Sequence, residues 1–281
     1  MDDAFAAADS NSAPFSQDGW HEVKVDIQVP VASTTRSPPP SQTFSVPGFH
    51  YHSLVEVIKA AWSEELAKKF HLYHFKRIHI HPETKAETQI YDEAFTSDVW
   101  IDAHDALQKQ PRELGCNLER IIAGLMFWSN STHLTSFGNA KVWPLYLYFG
   151  NLSKYIRAQP TSGACHHVAY IPSVSSIGIH IFPIIYFFQL PDNIDDLLIE
   201  FAPTKSHQPI LKTHCRHKLI HEVWRLLLDS EFIHTYRHGI VLTCVDGIQR
   251  CVFPHIFTYS EDYPEKYVCG ITVPYLLIEL W

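Results

Sequence analysis

The stretch that most constrains the fold runs from residue 120 to residue 157. Ile121, Ile122, Leu125, Met126, Phe127 and Trp128 make a run too apolar for a solvated face, and Ser129, Asn130, Ser131 and Thr132 end it. Such a run, bounded by turn formers, predicts a buried strand, or the end of a short helix feeding one. After Gly138 and Asn139, the segment VWPLYLYF (residues 142–149) is rich in β-formers and predicts a second strand. Pro144 within it points to an edge or a bulge. Asn130 falls at the tip of the first strand, beside the hairpin, where α/β folds gather ligands.

Upstream, residues 1–48 carry Ser, Pro, Asp and Thr with few large aliphatics, and are expected to be a disordered arm or linker. The alternation EVKVDIQV (residues 22–29) is the one place in it that suggests a strand. Residues 49–119 read as a helical and hairpin region. Leu54, Val55, Ile58, Ala61, Trp62, Leu66 and Phe70 recur at helical spacing. Residues 71–91 predict two strands around a turn at Pro82, Glu83 and Thr84. Thr96, Ser97 and Asp98 resemble a helix cap, and Pro111 closes the helix that follows. A further helix is expected near Cys116 or Asn117.

Downstream of Arg157, residues 160–163 predict a turn and residues 166–171 a strand. The apolar segment VSSIGIHIFPIIYFFQ (residues 174–189) is shorter than the ~20 residues that span a bilayer. Leu219, Ile220, Val223, Trp224, Leu227 and Leu228 define one side of a helix over residues 211–236, with a break near Asp229 and Ser230. Asp246-Gly247 between apolar runs marks a hairpin over residues 239–259. The fold class is therefore mixed α/β.

The net charge is −8, without the basic excess that phosphate contacts call for, which argues against strong autonomous DNA binding. The six cysteines include no Cys-x-x-Cys pair, and the acidic, polar start does not resemble a signal peptide. A reducing intracellular setting with free thiols is expected.

The segments GLMFWSNSTHL (residues 124–134), FGNAKVWPLYLYFGNLSKYIR (137–157), SGACHHVAYIPS (162–173), THCRHKLIHEVWRLLLDSEFIHTYRHGIVL (213–242) and FTYSEDYPEK (257–266) resemble the Plavaka transposases. These belong to CACTA-like cut-and-paste transposons of mushroom-forming fungi. The resemblance extends from about residue 49 to 266, and it implies an RNase H-like core in which acidic residues hold Mg²⁺ or Mn²⁺. It also implies nuclear localisation and DNA as partner. The family's first catalytic Asp corresponds to Asn130, and its second acid to Asp262. The third, a Glu on a later helix, lies past residue 281.

The resemblance thus implies a truncated core over residues 120–266, with an insertion at 174–189 and a non-family tail at 267–281. The insertion reads equally as a translated intron or as an ordinary β-rich insert. With Asn130 in the first acidic position and Asp262 a remnant, no resident cofactor is expected, and metal binding at Asp262 should be weak or lost. The leading expectation is a transposon-derived protein that has lost DNA strand transfer. One alternative is a non-enzymatic module that binds DNA or protein; another is a metal-dependent nuclease that recruits a substitute ligand.

Other constellations carry less. Cys165 and His167, sharing one strand face, with His133 or Cys116, suggest zinc, but two ligands at that spacing are more often packing. Trp143, Tyr146 and Tyr148 fit base stacking or, better, a core. Lys154, Arg157, Arg216, Lys218, Arg225 and Arg237 have acids interspersed and fit a solvated face. Ser129, Ser131 and Thr132 beside His133 lack the nucleophile-elbow pattern of a hydrolase.

Overall fold

In the computed structural model, residues 19–30, 41–113, 115–130, 132–133, 141–171 and 208–261 are described. Two strands, β1 (His21–Val29) and β2 (Gln42–Tyr51), precede helix α1 (Leu54–Ser63) and a 3₁₀ turn at Glu65–Lys69. The hairpin of β3 (Arg77–Ile80) and β4 (Glu87–Ile90) and a 3₁₀ turn at Ala94–Thr96 lead into α2 (Asp98–Lys109). Next come β5 (Glu119–Ser129), β6 (Thr132–His133), β7 (Lys141–Phe149), the short α3 (Lys154–Arg157) and β8 (His166–Ile171). Helices α4 (Gln208–Leu227) and α5 (Ser230–His238), then β9 (Ile240–Thr243) and β10 (Gln249–Glu261), complete the described chain.

One mixed sheet organises these elements, in the order β1-β2-β8-β7-β5-β10-β9, with β6 added to β7. Every pairing in it is antiparallel except that of β10 with β5. The strand near Leu125 is interior, as its apolar run predicts, because it must be covered on both faces. Leu125 and Phe127 are buried on the side of α4, where Phe127 meets Trp224 edge-on at 5.1 Å. On the other side α2 lays Trp100 over Gly124, and a β-carbon at Gly124 would sit 2.1 Å from that ring. Gly124 is thus the gap in β5 that a large indole fills.

Helix α4 is amphipathic in the expected register: Leu211, Cys215, Leu219, Ile220, Val223, Trp224 and Leu227 are buried. Asp229 caps α5 by accepting the Phe232 N–H at 2.8 Å, which places the break between the helices where the sequence puts it. Ser97 likewise accepts the Trp100 N–H to cap α2. β7 is interior rather than an edge, and it accommodates Pro144 beside a register shift against β8 at Leu145 and Tyr146.

Two expectations are corrected. The arm at 1–48 is not disordered throughout: β1 and β2 are integral to the sheet, with Val25, Ile27, Val29, Phe44 and Val46 buried. The alternation of β1 presents exactly one apolar face, and α4 covers it, so its strand state depends on a partner some 190 residues away. The second correction concerns Cys116 and Asn117, where no helix begins. Gly115 adopts a left-handed φ of 83°, and the chain enters β5 at Glu119 instead. Residues 1–18 and 31–40, the suspected insertion at 174–189 and the tail at 267–281 lie outside the described residues.

Candidate functional site at the end of the central strand

The parallel pair β5 and β10 brings two strand ends to the same edge of the fold. Their register runs from Glu119 opposite Arg250 to Ser129 opposite Glu261. Asn130 follows Ser129 directly and is half-buried. Ser129 itself is fully buried, and its Oγ lies 2.9 Å from the Tyr259 hydroxyl, tying the two strands together one step before the tip. Tyr259 in turn meets Trp224 of α4 edge-on at 5.3 Å. This tip is therefore held from within the core, which is how a fold fixes a ligand-bearing residue. Asp262, the next residue after Glu261, lies outside the described residues.

Mg²⁺ and Mn²⁺ favour charged oxygens, and the Asn130 amide offers only a neutral one. Asn130 by itself supplies no charged oxygen to such an ion. Asp246, the other acid near in sequence, is far from this edge. It lies in the turn before β10, where both of its carboxylate oxygens take hydrogen bonds from Arg250 at 2.8–2.9 Å.

The remaining constellations lie elsewhere on the sheet and helices. Trp143 is buried, whereas Tyr146 and Tyr148 are half-buried on the opposite face of β7. Tyr146 stacks on the exposed Trp128 at 5.3 Å. His167 meets Tyr146 edge-on at 4.8 Å and pairs with the Tyr170 hydroxyl at 2.7 Å. Burial raises the Cys165 thiol and, with Cys165 beside it, pushes the Tyr148 hydroxyl up to about 12, so both stay protonated at neutral pH. Cys165, His166 and His167 line a shallow cleft with Trp20 and His52, but among the described residues no three ligand atoms converge there. Lys154 donates to the Asp92 carbonyl, Arg157 faces Glu93 and Arg225 pairs with Glu222.

A cluster that the sequence does not announce lies at the far end of β5. His74, in the loop before β3, meets His104 and Asp105 of α2, with one donor atom of each within 4.8 Å of the others. Thirty residues separate His74 from His104, and no spacing motif links them.

The chain matches the family model described as Plavaka transposase over residues 6–181, more than half its length. The chain belongs to the Plavaka transposase family. The match begins at residue 6, so β1 and β2 fall inside the family's own pattern rather than in an appended arm. No curated protein and no solved structure matches the chain. Among the described residues, no helix is long and apolar enough to cross a membrane.

Proposed function

We propose that this chain is a transposon-derived protein whose sheet is an RNase H-like transposase core that no longer performs DNA strand transfer. The order of elements supports the core. The meander β5-β7-β8 is followed by α4 and then by β10, parallel to β5, so that the first and last strands of the core end side by side. A two-metal strand transfer needs carboxylates at such paired ends to hold the ions that stabilise the attacking and leaving oxygens.

The observation that carries the loss is Asn130 at the tip of β5, where the family has Asp. Two carboxylates at adjoining strand ends repel, and a divalent cation relieves that repulsion. An amide removes both the repulsion and much of the attraction, and Mg²⁺ gives up its own waters reluctantly. Asp262, one residue beyond the partner of Ser129 in the β5–β10 register, is the remnant acid. The protein then acts through DNA, weakly bound in keeping with its charge of −8, and nuclear residence follows from that substrate.

Manganese calorimetry beside a plasmid-nicking assay tests this. The unaltered chain should show no nicking and no saturable binding that depends on Asp262. Asn130→Asp should raise Mn²⁺ affinity by about tenfold or more. Nicking by the unaltered chain that disappears in Asp262→Asn would overturn the reading and favour a nuclease with a substitute ligand.

A further inference from the structure

The His74, His104 and Asp105 cluster is a separate matter from strand transfer. It sits beside Glu119, at the start of β5, whereas Asn130 follows the last residue of that strand. Ten residues of extended chain put the two positions roughly 30 Å apart.

The cluster is built by elements that are themselves fixed. The loop carrying His74 is pinned just ahead of that residue. The His71 N–H donates to the Asn151 carbonyl at 2.8 Å, and the Tyr73 hydroxyl donates to Glu119. His104 and Asp105 lie one turn past Trp100, the residue that seats α2 on Gly124. Neither loop nor helix needs to move far for the three side chains to meet.

The imidazoles lack the partners that packed histidines ordinarily have. The Nδ1 atoms of both His74 and His104 are shielded from solvent and have no hydrogen-bond partner. The His74 Nε2 is 3.9 Å from the Asp105 carboxylate, too far for a hydrogen bond. The His104 Nε2 faces the Gln108 side-chain nitrogen at 3.2 Å, and that nitrogen also donates to the Arg120 carbonyl. If His104 accepts there, its Nδ1–H is left buried without an acceptor; the other tautomer sets a donor against a donor. A buried polar group left unpaired in this way costs about 1–3 kcal/mol. Two such rings, tilted against each other with centroids 4.5 Å apart, share one small space with a carboxylate.

We propose that His74, His104 and Asp105 bind one transition-metal dication of the zinc type, which fastens the loop before the β3–β4 hairpin to α2. Two imidazoles and a carboxylate suit zinc, whereas magnesium and calcium take oxygen ligands. Ligands on a tetrahedral zinc lie roughly 3.3 Å apart for bonds of about 2.0–2.1 Å. The 3.9 Å between His74 and Asp105 therefore closes with a small rotamer change. Asp105 is exposed, so the fourth position opens to water. Coordination through the His104 Nδ1 uses the ring atom that has no hydrogen-bond partner.

The site is tested by titrating the metal-free chain with Zn²⁺ and with Co²⁺, whose visible absorption reports a low-coordinate nitrogen–oxygen site. One equivalent should bind with a Kd on the order of micromolar or tighter. Asp105→Asn, a change at an exposed position that leaves the fold intact by circular dichroism, should weaken binding by about tenfold or more. His74→Gln and His104→Gln should abolish the cobalt spectrum. Zinc should also slow amide exchange across residues 71–80 in the unaltered chain, but not in Asp105→Asn. No binding, or binding retained in Asp105→Asn, His74→Gln and His104→Gln, would overturn the proposal.

Discussion

The Asn151 side chain accepts the Gly124 backbone N–H at 2.9 Å, in a fully buried contact between the turn after β7 and the middle of β5. Its amide nitrogen donates to the Ile122 carbonyl at 2.8 Å and to the His71 carbonyl at 3.1 Å. One side chain thus satisfies a donor and an acceptor of β5 and ties in the loop that leads to the hairpin. Asn151→Ala leaves these backbone groups unpaired and should destabilise the fold by about 3 kcal/mol or more. Urea unfolding followed by tryptophan fluorescence would measure it.

Gly124→Ala places a methyl group where Trp100 already lies. Overpacking of this kind costs about 1–3 kcal/mol, and it should be partly relieved by Trp100→Leu, which vacates the ring. A double-mutant cycle on thermal midpoints should therefore show strong coupling. Additive effects would mean that the two residues do not share the space.

Arg250 is nearly buried, yet it reaches Glu119 on β5 and Asp246 in the turn before β10, each at 2.8 Å. Its Nε serves one acid and its terminal nitrogens the other, a fork that lysine cannot reproduce. The partners are partly exposed, so screening limits the effect, and Arg250→Lys should cost no more than about 1 kcal/mol. The measured loss should shrink in 1 M salt.

Acid should weaken the fold well above the carboxylate range. Burial holds His166, His167, His217 and His255 below their usual range, and His214 and His221 are held down by burial together with Lys218 and His217. A histidine depressed in the folded state stays neutral while its unfolded counterpart, with a pKa of about 6.5, takes up a proton. Stability from these groups is complete above that value and is lost as pH falls through the folded values. The urea midpoint should therefore be lower at pH 5.5 than at pH 7.5. His255→Phe, beside Tyr236 and Phe257, should reduce the difference.

Much of the architecture is legible locally. The spacing of Leu219, Ile220, Val223 and Trp224 gives α4, Asp229 gives the break before α5, and Asp246-Gly247 gives the last hairpin. β1 is harder, because its three inward aliphatics sit among Ser, Pro and Asp residues, and only α4 and β2 make burying them worthwhile. Position 130 is legible through the family resemblance alone, since an Asn after an apolar run is an ordinary turn residue. The histidine cluster is illegible for another reason. Neighbouring residues on a helix diverge by about 100°, so His104 and Asp105 do not advertise a shared target, and His74 arrives from a loop.

The pairing of β5 with β10 also sets a timetable. Ser129 and Tyr259 touch although they are 130 residues apart in the chain. At about 5–20 residues per second, a ribosome needs roughly 7–26 seconds to cover that interval. Throughout it, the most apolar strand of the protein has one open edge. A nascent chain cut short before Gln249 keeps that edge for good, and it should be found with chaperones or in aggregates rather than as a smaller folded product.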